Sequence, residues 1–166
     1  MPRAKLAKIK IKSRMDARIF LTYAPKKTVR NLIALTIYKP RDARQLSKVL
    51  GISLREAEKL IKKYVERGFL DAYRFHKWII LGVNNALRTE IINGLSAIIN
   101  FVKRKKNVPA FTLINIIAKD ILKFKEDVND FPVTTDEERP PWTRYIFHEL
   151  LARLDEMDIE EDYSSE

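Results

Sequence analysis

The sequence predicts a mainly α-helical protein with one small β-hairpin. Apolar residues recur at helical spacing along most of the chain, and Thr, Asp or Ser precedes three of these stretches while Gly or Pro follows them. A single window, LDAYRFHKWIIL at 70–81, concentrates the aromatic and β-branched residues that favour strands. The 166 residues, 46% of them hydrophobic, are enough to bury a core.

Composition narrows the class of protein further. The sequence has no cysteine, which excludes disulfides and thiolate metal sites. No apolar run is long enough to cross a bilayer, so no membrane association and a cytoplasmic location are expected. Four glycines are too few for a Gly-rich phosphate loop.

The N-terminal residues 1–28 are strongly basic. KIKIK at 8–12 alternates strictly and RIFLTY follows at 18–23, which predicts a strand with one basic face. A flexible basic arm is the alternative, and such arms reach into the DNA minor groove. The candidate arm contacts are Lys8, Lys10 and Lys12.

Three helices are predicted next, each with its own boundary signals. Thr28 can cap a helix that ends before Pro40. Asp42 can cap the second helix with Gln45 completing a capping box, and Gly51 ends it. Ser53 and Glu56 form the same pattern at the start of the third helix, 53–67, which ends at Gly68. The aromatic window then predicts two short strands joined by a tight turn near 75–77.

The C-terminal half predicts three more helices and an acidic end. Helices at 84–105 and 109–124 have apolar arcs wider than the ~100° stripe that a core-facing helix needs, so each is expected to contact two neighbours. A homodimer interface is the natural second neighbour. Residues 125–141 are predicted to form a loop, 142–157 an amphipathic helix, and 158–166 an acidic disordered tail. The dimer-interface candidates are Leu87, Ile91, Leu95, Ile98, Val102, Ile114, Ile117 and Ile121.

Charge is segregated along the chain. Residues 1–125 carry 29 Lys/Arg against 8 Asp/Glu, a net of +21, whereas residues 126–166 carry 3 against 14, a net of −11. A basic surface of this size suits a polyanion such as DNA. The acidic tail suits a basic or transcription-machinery partner, and it can also screen the basic surface until DNA displaces it.

The run RQLSKVLGISLREAEKLIKKYVERGFL, at 44–70, resembles the winged helix-turn-helix superfamily of bacterial and archaeal regulators. Its Leu-Gly-Ile-Ser turn and its Gly-hydrophobic exit have the spacing usual in that family. The resemblance implies a winged helix-turn-helix domain at 29–82, a helical extension at 83–157, and helix 53–67 in the DNA major groove. By position it implies Ser53, Leu54, Arg55 and Lys59 nearest the bases, Arg41, Arg44 and Lys48 near phosphates, and Arg74, His76 and Lys77 at the wing tip.

The helical wheel agrees with that resemblance. At 100° per residue, four cations share one quadrant of helix 53–67, and an apolar set lies opposite. Glu58 precedes Lys62 by four residues, the orientation that favours an ion pair. A merely solvated Lys/Arg face is the alternative interpretation. The cations are Arg55, Lys59, Lys62 and Lys63, and the apolar set is Ala57, Leu60, Ile61, Tyr64 and Val65.

The resulting expectation is a nucleoid-associated, homodimeric transcriptional regulator that binds double-stranded DNA. An architectural or accessory DNA-binding factor in replication or segregation is one alternative, and a winged-helix adaptor for protein partners is another. No catalytic residue, cofactor or metal is expected. His76 and His148 lack metal-ligand spacing, and Asp136, Glu137 and Glu138 are interpreted as a solvated charge run.

Overall fold

The computed structural model describes residues 10–76 and 78–164, with the backbone alone for Phe75, Trp78 and residues 158–164. The predicted fold class is confirmed, because helices dominate and the described chain has one two-stranded antiparallel sheet. A π-helical segment, Ile116–Ile121, continues the helix at Ala110–Asn115, and a 3-10 turn, Pro141–Thr143, precedes the helix at Arg144–Ser164. The elements are α1 (Arg14–Tyr23), α2 (Lys26–Tyr38), α3 (Ala43–Leu50), α4 (Leu54–Glu66), β1 (Leu70–Phe75), β2 (Trp78–Val83), α5 (Asn85–Lys106), α6 (Ala110–Asn115) and α7 (Arg144–Ser164).

The N-terminal strand or arm prediction is wrong for residues 14–23, which form α1. The hydroxyl of Ser13 accepts a hydrogen bond from the Asp16 amide, and the Asp16 carboxylate accepts one from the Ser13 amide. Ala17 and Leu21, one helical turn apart, are buried in the core. A capping box and a spacing of four therefore outweigh the alternating pattern. Lys8 lies outside the described residues, whereas Lys10 and Lys12 are exposed and belong to no helix or strand.

Helix α2 runs through the centre of the N-terminal half. It begins at Lys26 directly after Pro25, so the prediction that Thr28 caps it is wrong. Proline fixes a φ compatible with a helix start, here −57°, and the helix begins there without a side-chain cap. All seven residues at 31–37 are buried. The helix ends at Tyr38, and Lys39, which follows it before Pro40, adopts φ +46°.

Helices α3 and α4 have the predicted boundaries and N-cap residues, but the reciprocal bonds of the predicted capping boxes are not formed among the described residues. The Asp42 carboxylate accepts from the Gln45 amide at 2.9 Å, but the Gln45 side chain accepts from the amide of Arg41 rather than from that of Asp42. Gly51 follows α3 with φ +70°, a left-handed conformation that glycine adopts without strain. The Ser53 hydroxyl accepts from the Glu56 amide at 3.1 Å, which fixes the start of α4.

The hairpin and the long helix follow as predicted. Strands β1 and β2 pair from Leu70 with Val83 to Phe75 with Trp78, leaving a two-residue turn in which His76 adopts φ +56°. Asn84 then caps α5 by accepting hydrogen bonds from the amides at 86 and 87.

The assignment of eight residues to a dimer interface is wrong, because other parts of the same chain already cover them. All eight candidates are buried, with exposed fractions between 0% and 7%. Helices α1, α2 and α6 and the 3-10 turn pack around α5. The wide apolar arcs therefore reflect several neighbours within one chain. Buried side chains from Ile11 to Leu154 form one contiguous cluster, so the segments predicted as domain and extension share a core.

The C-terminal end is more ordered than predicted. Residues 122–140 form the expected loop, and Lys123 adopts φ +60° at its start. Helix α7 packs against the π-helical segment and the 3-10 turn. The helix continues to Ser164, so the prediction of a disordered tail is wrong for the backbone of 158–164. No Gly or Pro occurs at 158–164 to interrupt the helix. Each helix in the described part is too short or too polar to traverse a bilayer.

Candidate nucleic-acid interface

The α3–α4 unit (residues 43–66) presents one side of α4 to the core. Ala57, Ile61 and Tyr64 are buried there, and the Tyr64 hydroxyl accepts a hydrogen bond from the buried Asn31 side chain at 3.2 Å. Leu60 is half-buried, but Val65 is 37% exposed, so its predicted packing is wrong. Because Val65 lies at the edge of the apolar arc, its side chain remains in solvent.

The opposite side of α4 carries the basic face (Arg55, Lys59, Lys62 and Lys63), and all four side chains are exposed. Ser53 and Leu54 are exposed at the start of the same helix, with Leu54 at 43%. The predicted base-contacting residues are therefore accessible. One acid interrupts the face, because Glu66 lies about 20° from Arg55 at 100° per residue.

The predicted phosphate-contacting residues lie on neighbouring elements. Arg41 precedes α3, Arg44 and Lys48 lie on it, and all three are exposed. Arg74 on β1 and His76 in the hairpin turn are exposed as well. Lys77 lies outside the described residues.

The cations of this region have no acidic partners among the described side chains. Among the residues that the structure describes, no carboxylate lies within ion-pair distance of any Lys or Arg at 39–74, and the predicted Glu58–Lys62 pair is not formed. Outside the region, five of the described cations do pair with acids. These are Arg14, Arg18, Arg104, Lys106 and Lys119. Residues 39–74 thus carry positive charge that no described carboxylate neutralises.

Sequence reasoning missed a buried carboxylate, Glu90 on α5, which has no exposed surface. Arg14 donates to it at 2.7 Å, Arg18 at 3.1 Å, and the Trp142 indole N–H at 2.9 Å. The hydrogen bond to Glu90 is the largest cause that raises the pKa of both arginines above its ordinary value. The local sequence signal for this buried carboxylate is its position three residues after Leu87, on the same face of the helix. Two arginines of the supposed arm therefore bind inside the protein.

The acidic loop completes this network, and the interpretation as a solvated run is wrong for Asp136, whose side chain is 19% exposed. Glu137 and Glu138 are exposed as expected, at 65% and 69%. Asp136 accepts from Arg14 and Glu138 from Arg18, each at 2.7 Å. Glu137 pairs with Arg104 at 2.9 Å. Within the described ranges, no three His, Asp or Glu side chains are placed to hold a metal ion.

The sequence also did not predict a second feature, a segment at residues 122–126 that contacts the end of α3 and that we call the brace. The Lys125 amide donates to the Val49 carbonyl at 2.8 Å, next to the turn at Gly51. The Tyr38 hydroxyl donates to the Glu126 carbonyl at 2.6 Å, and Phe124 packs edge-on against the Tyr38 ring. The brace thereby fixes the end of α3.

Comparison with known proteins gave no match: no protein-family model, no curated protein and no solved structure resembles the chain. Its functional interpretation therefore depends on its own geometry and charge.

Proposed function

We propose that the protein binds double-stranded DNA as a winged-helix transcriptional regulator, with α4 in the major groove. The observation that carries the proposal is the basic face. Its four exposed cations pair with no carboxylate among the described side chains, and they lie opposite the packed side of the same helix. Cations that the fold does not neutralise are available to phosphate oxygens, and their binding releases counterions from DNA.

The shape of the region supports the same proposal. Helix α4 has 13 residues, a length of about 20 Å, and the major groove is about 12 Å wide, enough for one helix. The order α2, α3, turn, α4, hairpin is the order that a winged helix requires. At the exposed N-terminal end of α4, Arg55 would donate hydrogen bonds to a guanine and Leu54 would contact a thymine methyl group.

The position of Glu66 constrains how α4 docks. A carboxylate near phosphates would oppose binding, so we infer that the N-terminal half of α4 enters the groove. Glu66, in the last turn, then lies outside it. Arg41, Arg44 and Lys48 would contact the flanking backbone, with Arg74 at the hairpin.

The test is a pair of double variants with equal loss of charge. Arg55→Ala/Lys59→Ala removes half of the basic face, and Lys103→Ala/Lys105→Ala removes two exposed cations at the end of α5. Binding of labelled duplex DNA is followed by fluorescence anisotropy across a salt series. The first variant should lose affinity at least about tenfold, with the log–log salt slope reduced by about 1–2, while the second stays near wild type. Equal losses in both variants would contradict the proposal.

Selection from a random duplex library separates a regulator from the architectural alternative. A regulator should enrich one motif, because base contacts carry sequence information and phosphate contacts do not. Enrichment of no motif, with a steep salt dependence, would favour the architectural factor. A palindromic motif would support a homodimer, which needs a surface other than the eight buried candidates.

A further inference from the structure

We propose that the cleft between the α1–α2 junction and the start of α7 binds a small amphipathic anion, an organic acid with one apolar chain. The cleft encloses about 490 Å³, within the range of roughly 300–1,000 Å³ usual for small-molecule sites. It lies outside the basic face, and the inference does not depend on DNA binding.

The floor of the cleft is apolar. Leu21, Ile33 and Ile146 line it, and each is buried with an exposed fraction of 4% or less. Leu122 and Trp142 line it too, with exposed fractions of 7% and 8%. These side chains come from α1, α2, α7 and the segments before α7, so the core itself forms the floor. A hydrocarbon chain placed here would exchange water for close-packed side chains.

The rim of the cleft is positive. Lys26, Arg144 and His148 line it as exposed side chains, with Arg30 deeper and Glu149 as the acid present. The Lys26 ammonium lies 4.3 Å from the centre of the Tyr145 ring, a cation–π contact that holds it at the rim. A cationic ligand would meet repulsion here, whereas an anionic head group would meet attraction.

Arg30 provides the second observation that points to an anion. Its guanidinium donates to the carbonyl oxygens of Leu122 and Lys123, the latter at 3.1 Å. Among the residues described, no carboxylate pairs with it, and burial alone lowers the pKa of Arg30 below its usual value. A partly desolvated cation without a counter-ion is unfavourable, and a bound carboxylate would supply the missing charge.

The chemistry of the lining excludes simpler ligands. Acetate or inorganic phosphate would satisfy the rim but leave most of the cleft volume filled with water. A neutral hydrocarbon would fill the floor but leave Arg30 unneutralised. The combination of apolar floor and cationic rim therefore fits one molecule with both parts.

The probe is decanoate, used below its micelle concentration, with the full-length protein and isothermal titration calorimetry. Decanoate should bind with 1:1 stoichiometry, and acetate and decyltrimethylammonium should bind at least roughly tenfold more weakly. The variant Lys26→Gln/Arg144→Gln should weaken decanoate binding about tenfold, since both cations are at the rim and exposed. The variant Lys103→Gln/Lys105→Gln loses the same charge elsewhere and should bind as wild type.

The proposal is overturned by no saturable 1:1 binding of decanoate, by equal affinity for decyltrimethylammonium, or by an unchanged affinity in the rim variant. Equal weakening in both charge variants would also overturn it, because binding would then follow net charge alone. No DNA is present in the experiment. A failure here therefore leaves the DNA-binding proposal untouched, and the reverse also holds.

Discussion

Replacing Glu90 with glutamine should be among the most damaging conservative changes in the protein. The variant Glu90→Gln keeps the shape of the side chain but removes the charge that Arg14 and Arg18 share. One amide N–H₂ group would then face donors rather than acceptors, because the Trp142 indole N–H and both guanidinium groups all donate. The variant therefore loses charge and hydrogen bonds together.

The size of the effect follows from the burial of the three side chains. Removing one partner of a buried ion pair costs about 3–5 kcal/mol. Here the arginine side chains are 35% and 15% exposed, and each keeps a second carboxylate, Asp136 or Glu138. We therefore expect a smaller loss than that range, about 2–3 kcal/mol in the free energy of unfolding. For 166 residues this lowers the melting temperature by about 5–10 °C.

Urea denaturation followed by circular dichroism measures the loss, with Glu137→Gln as the matched control. Glu137 also pairs with an arginine, Arg104, but the two side chains are 65% and 62% exposed. An exposed pair of this kind contributes at most about 1 kcal/mol. Equal free energies of unfolding for Glu90→Gln and Glu137→Gln would contradict the role assigned to the buried carboxylate.

Two further predictions concern packing and alkaline pH. In Gly94→Ala the new Cβ would lie 2.5 Å from the Trp142 ring, so overpacking of about 1–3 kcal/mol should outweigh a gain of about 1 kcal/mol in helix propensity. Urea denaturation beside Gly82→Ala, where nothing lies within 4 Å of the new atom, tests this, and a stabilised Gly94→Ala would contradict it. Burial, with help from nearby acids, raises the pKa of Tyr38 to about 12. Near pH 10 the Tyr38 hydroxyl therefore ionises in the unfolded state and not in the folded state. The stability advantage of wild type over Tyr38→Phe should shrink from pH 9 to 11, by less than about 1 kcal/mol after allowance for exposure. A difference that stays constant over this pH range would contradict the prediction.

The sequence predicts the elements whose signals are local. Asp42, Gly51 and Ser53 define the α3–α4 unit within a dozen residues, and the structure has the boundaries they imply. Caps and left-handed ends depend on neighbours in sequence, so they can be recognised without knowledge of the fold. The exposed basic face follows from the same helical periodicity.

The features of the candidate site that sequence reasoning missed depend on distant partners. Arg14 and Glu90 are 76 positions apart, and nothing near either residue announces the pair. The wide apolar arcs of α5 and α6 correctly predicted several neighbouring helices. The width of an apolar arc does not tell whether the helix that covers it belongs to the same chain or to a second copy. Charge in the acidic loop suggested exposure, yet Asp136 binds an arginine that the same counting assigned to DNA.

The brace also has a consequence for the order in which the protein can fold as it leaves the ribosome. Helices α3 and α4 are synthesised early, but the Lys125 amide that binds the Val49 carbonyl is made 76 residues later. The unit proposed to bind DNA therefore emerges before the segment that secures it, and its native geometry must wait for α5 and α6 to be translated. Nascent chains that stop before residue 122 would carry the basic face on an α3–α4 unit that lacks its contacts with the brace.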